Sequence, residues 1–292
     1  MKNEKILEAG RIAGEVKSWI KPQIKKGQTL LEIAELIENK IFELGGSPAF
    51  PVNLSINEYA AHYTPTYNDE TLAEGLLKID FGVEIDGWIS DTAFSIDLEN
   101  SELNKNLIKA SEEALAEAEK ILSSETKINE IGEVVESKVT SYGFHVVANL
   151  TGHSMEKDDL HSGRSIYNVK NNSEIKFGEG LFAIEPFATN GRGFVSDSKK
   201  GNIYVLESDR NVRHPTARTV LNFIKENYGF LPFASRWLVK EFGTSALLAL
   251  SLLEREEVLH QYSILTEEKG KVVSQAENTF LIEKEKVTKT TE

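Results

Sequence analysis

Four acidic residues stand where strand-forming sequence should be apolar. Asp80, Asp91, Glu185 and Glu277 each interrupt a run rich in β-branched and aromatic residues. One buried carboxylate held by backbone N–H groups is a common structural device. Four are not explained that way, because each buried ion costs several kcal/mol. Two divalent cations would balance four carboxylates. His153, which follows the segment Leu150–Gly152, offers an imidazole. Oxygen donors with one imidazole suit Mn, Fe, Co or Zn rather than Ca or Mg. His62 and His161 lie in polar segments beside these runs. Either one alone reads as a surface histidine; beside a dinuclear centre each becomes a group for holding a substrate and moving protons. His145, His214 and His260 have no such neighbours and are assigned no chemistry. Gly152, Gly163, Gly191 and Gly193 fit turns, and no phosphate-binding glycine loop is present.

The elements that must position these groups follow from local pattern. Leu76 to Leu98 reads as two strands joined at Asp86-Gly87, an Asp-Gly hairpin signal. With those two as the turn, Asp80 faces Ala93 and Asp91 faces Gly82. Both aspartates then share one face as diagonal neighbours, about 7–8 Å apart at the backbone. Two like charges converging between apolar strands repel unless a cation lies between them. Phe144 to Leu150 predicts a strand, running into a polar loop that carries His153 and His161. Leu181 to Phe187 predicts a strand around Glu185, and Lys271 to Glu283 a strand with Glu277 in its middle.

Helical spacing covers 3–24. Thr29 opens a second helix, with Glu32 at the capping-box position and Gly45-Gly46 as its end. Residues 47–61 read as extended, 100–122 and 128–141 as helices. The Gly-, Ser- and Asn-rich stretch after Phe187 reads as loop, and 213–260 as helical. This order suggests an α+β protein with helices covering one side of a curved sheet.

Composition narrows the setting. The 292 residues are 40% hydrophobic and 27% charged, which fits a globular chain with room for a full core. The net charge of −13 argues against a nucleic-acid or anionic-membrane surface along the whole chain. With no cysteine there are no disulfides or thiolate metal sites. The first residues read as a charged amphipathic helix, not a signal peptide. No apolar run approaches the ~20 residues of a membrane span, so the expected location is the cytoplasm.

Five segments carry a resemblance. AFPVNLSINEYAAHYTP, KIDFGVEIDGWISDTA, TGHSMEKDDLHSGRSIYNV, FAIEPFAT and SQAENT resemble, in order and spacing, the motifs of type II methionine aminopeptidases. LPFASRWL is similar to part of the helical insertion that separates type II from type I. The likeness spans essentially the whole chain and is greatest to the short archaeal form without an N-terminal extension. It implies the pita-bread fold: one catalytic domain over 1–292, with an insertion at about 206–266.

Carried over residue by residue, the resemblance makes Asp80, Asp91, His153, Glu185 and Glu277 the ligands of two divalent ions (Co, Mn, Fe or Zn), with Asp91 and Glu277 bridging. His62 would contact the scissile amide and His161 the substrate carbonyl. Glu185 would also act as general base, and Phe50, Phe187, Tyr262 and Leu265 would line a methionine pocket. The implied activity is co-translational removal of the initiator methionine by a metal-activated hydroxide, with small residues preferred after the methionine. Its partners would be nascent polypeptide N-termini, with the ribosome a candidate; a monomer is expected, with no nucleic acid or membrane. The rivals are an X-Pro aminopeptidase or dipeptidase of the same fold and a non-catalytic binding homologue. One position departs from the pattern. The family usually has a histidine after the last ligand, and here it is Asn278.

Overall fold

The computed structural model describes residues 2–284 and 286–292. Helix α1 (Lys2–Ile20) buries Ile6, Ile12, Val16 and Ile20 on one face. Thr29 caps α2 (Leu30–Glu43): its side chain accepts from Glu32 N, and the Glu32 carboxylate accepts from Thr29 N. Three short strands follow, β1 (Ser47–Pro48), β2 (Asn53–Ile56) and β3 (Tyr59–Ala61). The long hairpin is β4 (Leu76–Ile85) and β5 (Trp88–Asp97). Its turn residues Asp86 and Gly87 have φ of 51° and 85°, so both central positions take the positive φ of a type I′ turn. The register pairs Asp80 with Ala93 and Gly82 with Asp91, as the Asp-Gly turn requires.

Helices α3 (Glu102–Ile121) and α4 (Ile128–Ser141) come next, then β6 (His145–Val146), β7 (Thr151–Met155), β8 (Ser165–Tyr167), β9 (Gly180–Ile184), β10 (Phe187–Thr189) and β11 (Ser196–Leu206). After β11 lie α5 (Pro215–Asn227), β12 (Phe233–Ala234), α6 (Ser235–Phe242) and α7 (Ser245–Arg255). The chain closes with β13 (Leu259–Thr266), β14 (Val273–Gln275), β15 (Asn278–Glu283) and β16 (Lys286–Lys289). Among the described residues every strand pairing is antiparallel. Helices α1 and α2 cover β2 and β4 through Ile12, Ile33, Leu54 and Phe81. Helices α3 and α4 cover β9 and β15 through Leu107, Val135, Phe182 and Phe280. The result is the α+β pita-bread arrangement that the motifs imply.

Several local expectations change. The strand at 144–150 shrinks to His145–Val146, and His153 lies inside β7 rather than in a loop after it. The polar residues of β7 hide it from a hydrophobicity reading, although four of its five residues are buried. Strand β11 lies in the stretch that reads as loop, because its first five residues are exposed and polar. Strand β13 begins inside the stretch read as helical and pairs with β11, so α5–α7 sit between two paired strands. Those helices build their own core from Val220, Leu221, Leu238, Leu250 and Leu253.

Candidate metal centre and active site

Glu185 and Glu277 do not sit within strands. Each occupies a break: Glu185-Pro186 between β9 and β10, and Ala276-Glu277 between β14 and β15. The second break is strapped to β5. Glu277 N donates to Ala93 O (3.0 Å), and Thr92 Oγ1 donates to Glu277 O (2.9 Å). Asp91 N donates to Thr279 Oγ1, which donates in turn to Asp91 O, both at 2.8 Å. Asp91 and Glu277 are thereby fixed to each other through their backbones. Glu185 O accepts from Asn168 Nδ2 (3.0 Å), and His153 is held opposite Ala183 of β9.

The side chains converge. Asp91, His153 and Glu277 each offer a donor atom within 4.8 Å of the other two. His153 Nε2 lies 3.5 Å from Asp91 Oδ2 and 3.8 Å from Glu185 Oε1. Gln275 Nε2 donates to Asp80 Oδ2 and Glu185 Oε2, each at 3.3 Å, and so ties these two carboxylates together. Sequence reasoning missed Gln275, which the structure shows to be a fully buried amide two residues before Glu277.

Desolvation dominates the electrostatics. Burial pushes Asp91 up to about 8. Burial and the Asp91 charge raise Asp80 well above the ordinary carboxylate range. Glu185 is raised likewise by burial and by Asp80 and Asp91, and Glu277 by burial and by Asp91, Glu185 and Asp80. Burial lowers His153 to about 4, which keeps it a neutral donor. Asp80 Oδ1, Asp91 Oδ1 and both Glu277 carboxylate oxygens are buried without a hydrogen-bond partner. Native proteins rarely leave such atoms orphaned. Four carboxylates and a neutral imidazole with unspent lone pairs fit divalent transition-metal cations.

A cavity of about 230 Å³ opens over this cluster, lined also by Phe50, Phe187, Tyr262, Leu265, His62 and His161. Phe50 lies over Gly82 of β4, so closely that a Cβ at Gly82 would be 2.5 Å from its ring. His62 has φ of 66°, a left-handed conformation uncommon outside glycine. Its Nδ1 lies 3.2 Å from Ser263 O and must carry the proton there, leaving Nε2 as the acceptor of the neutral ring. Burial keeps it neutral by lowering it to about 4. Its ring packs edge-on against Tyr262, at 5.2 Å between centroids. His260, given no role from sequence, packs on the same tyrosine at 5.1 Å. His161 is exposed, with its ring 4.3 Å from that of His153. The sequence reading did not single out Asn53, Asn149, Leu160, Ile203 or Pro232, which also line the cavity.

A family model described as metallopeptidase family M24 matches residues 4–214. A methionine aminopeptidase of Methanocaldococcus jannaschii is 47% identical over 283 residues, covering 96% of this chain and 95% of that protein. One from Thermococcus onnurineus is 46% identical over 290 residues, covering 97% of each. Among solved structures, a methionine aminopeptidase from Thermotoga maritima superposes with a TM-score of 0.71 at 19% identity, covering 100% of this chain and 96% of that one. A thermophilic Arx1 superposes with a TM-score of 0.83 at 18% identity, covering 98% and 89%. At such identities the likeness is one of fold.

Proposed function

Because the chain belongs to metallopeptidase family M24, and within it to the methionine aminopeptidases, we propose that it releases the N-terminal methionine of nascent proteins. The observation that carries this is the convergence of five potential ligands, four of them carboxylates with orphaned or raised groups, at the floor of a small apolar cavity. Asp80, Asp91, His153, Glu185 and Glu277 would hold two divalent cations, with Asp91 and Glu277 shared between them. Such cations lower the pKa of bound water and polarise a carbonyl oxygen.

The chain's own residues supply the rest. Glu185 accepts the proton from water and returns it to the leaving amine. His161 donates to the oxygen that gains charge at the attacked carbonyl. His62, neutral and fixed through Nδ1, meets the scissile amide with Nε2. Phe50, Phe187, Tyr262 and Leu265 surround the first side chain. An apolar, aromatic wall suits an unbranched thioether and leaves a charged side chain without partners. At about 230 Å³ the cavity is smaller than the ~300–1,000 Å³ of pockets for drug-sized ligands, so it takes a residue or two.

We assign α5–α7, within about 206–266, to the helical insertion of the type II enzymes, inside one catalytic domain over 1–292. LPFASRWL covers β12 and the start of α6, whose Arg236 pairs with buried Glu38 of α2 and ties the helices to the rest. No helix among the described residues is long and apolar enough to cross a membrane. We place the activity in the cytoplasm, on chains emerging from the ribosome. The test is specificity at the second residue, which must sit beside His62. Peptides of one length should be cleaved efficiently when Gly, Ala, Ser, Thr, Val or Pro follows methionine, and poorly when Lys, Leu or Phe follows. Equal kcat/KM for Met-Ala and Met-Lys peptides would contradict the reading.

A further inference from the structure

Asn278, the departure from the family's histidine, is a junction. Its Oδ1 accepts from Thr291 Oγ1 at 3.0 Å and from Lys17 Nζ of α1 at 3.4 Å. An amide oxygen has two lone pairs and takes both donors, whereas a neutral imidazole offers one acceptor nitrogen. The same two residues, together with Thr290, hold the neighbouring backbone. Thr279 N donates to Thr291 Oγ1 (3.3 Å), and Thr290 N donates to Thr279 O (2.9 Å). Lys17 Nζ also donates to Thr92 Oγ1 (2.9 Å) and to Glu277 O (3.4 Å).

Thr279 and Thr92 are the side chains that strap Asp91 and Glu277 together. Thr290 and Thr291 are buried, and Gly10 and Gly14 of α1 make room for the segment they belong to. A Cβ at Gly10 would lie 2.2 Å from Thr290 O, and one at Gly14 would lie 1.9 Å from Glu292 O. Helix α1 and residues 290–292 therefore close on Asn278 from two sides, and neither reaches the cavity.

We infer that Thr291 and Lys17 are positioning residues of the metal centre: through Asn278 and its neighbours they fix where Glu277 and Asp91 present their carboxylates. The inference rests on the reading of those two residues as metal ligands. A misplaced ligand weakens the metal while leaving the fold intact, and outer partners of ligands typically carry about 10–100-fold of metal affinity.

The experiment is calorimetric titration of the full, chelator-stripped chain with Mn²⁺ alone. Thr291→Val, which keeps the shape and removes the hydroxyl, is expected to weaken Mn²⁺ binding about 10–100-fold while circular dichroism stays native. Thr291→Ser, which keeps the hydroxyl, is expected to restore binding. Because Lys17 and Thr291 act through one amide, Lys17→Met should cost less affinity in the Thr291→Val background than in the wild type. A role confined to folding stability would lower the melting temperature without moving affinity, and would not show this coupling. Should Thr291→Val fail to fold, Asn278→Leu is measured in its place with the same expected loss. A folded variant that binds Mn²⁺ as the wild type does, or strictly additive losses, would overturn the inference. Absence of Mn²⁺ binding by the wild-type chain would instead overturn the metal reading on which it stands.

Discussion

Asp91 sits at the centre of the carboxylate cluster, with His153 Nε2 at 3.5 Å and its own Oδ1 unpartnered. Asp91→Ala removes the ligand proposed to be shared by the two ions and leaves Asp80, Glu185 and Glu277 facing each other. The expected outcome is loss of activity and of at least one bound ion, with native circular dichroism; metal analysis of the purified variant checks it. His161 stands differently, exposed at the cavity edge beside His153. If it donates to the oxyanion, His161→Ala should lower kcat by about 10²–10³ with metal content unchanged. A variant that lost metal would make His161 a ligand instead. At this scale the sequence was informative because charged residues in apolar runs need a reason to be buried. It gave no warning of Gln275, whose importance lies in the two carboxylates that it touches, one of them 90 residues away.

The hairpin of β4 and β5 is the element that sequence specified best. An Asp-Gly turn sets the register, and the register sets which face each aspartate occupies. Strands β7, β11 and β13 were less legible. Their order comes from neighbours far along the chain, and their own residues are too polar or too short in run to show a period of two. The breaks at Glu185 and Glu277 were hidden for the same reason: each depends on a strand that continues in a different sheet. The hairpin also shapes the cavity. Gly82 sits directly beneath Phe50, so Gly82→Ala must displace that ring. The expected result is a rise in KM for methionine peptides of about tenfold, the scale of one misplaced methylene in an apolar pocket, with Mn²⁺ affinity unchanged. Steady-state kinetics and calorimetry on the same variant check both halves.

For the whole molecule, the buried carboxyls make stability depend on pH and on metal together. Their folded pKa values lie above those of the unfolded chain, with Asp91 at about 8, so the metal-free protein holds extra protons. That contribution is complete below the ordinary carboxylate range and is lost as pH rises through the folded values. His62, His153 and His161, lowered to about 4, act in the opposite sense and only below their ordinary value of about 6.5. Buried Lys78, lowered to about 7, and buried Lys17, lowered to about 8, oppose the loss toward the top of the carboxyls' range, but as two groups against four carboxyls. Between pH 6.5 and 8 the melting temperature of the chelated protein is therefore expected to fall. Divalent cations should reverse the trend, because they favour the ionised ligands and bind more tightly as protons leave. A chelated protein whose melting temperature stays flat across that window would show that the cluster does not carry these protons.

The measurement that tests the account most directly is methionine release from Met-Ala-Ser by the purified chain, stripped of metal and then reloaded with Mn²⁺ or Co²⁺. An Ala-Pro peptide serves as the parallel substrate. The account expects no release from the stripped protein, release of free methionine on reloading, and no cleavage of the proline-linked bond. It is contradicted if the reloaded protein cleaves the Ala-Pro bond and leaves Met-Ala-Ser untouched, or if it binds metal and hydrolyses neither.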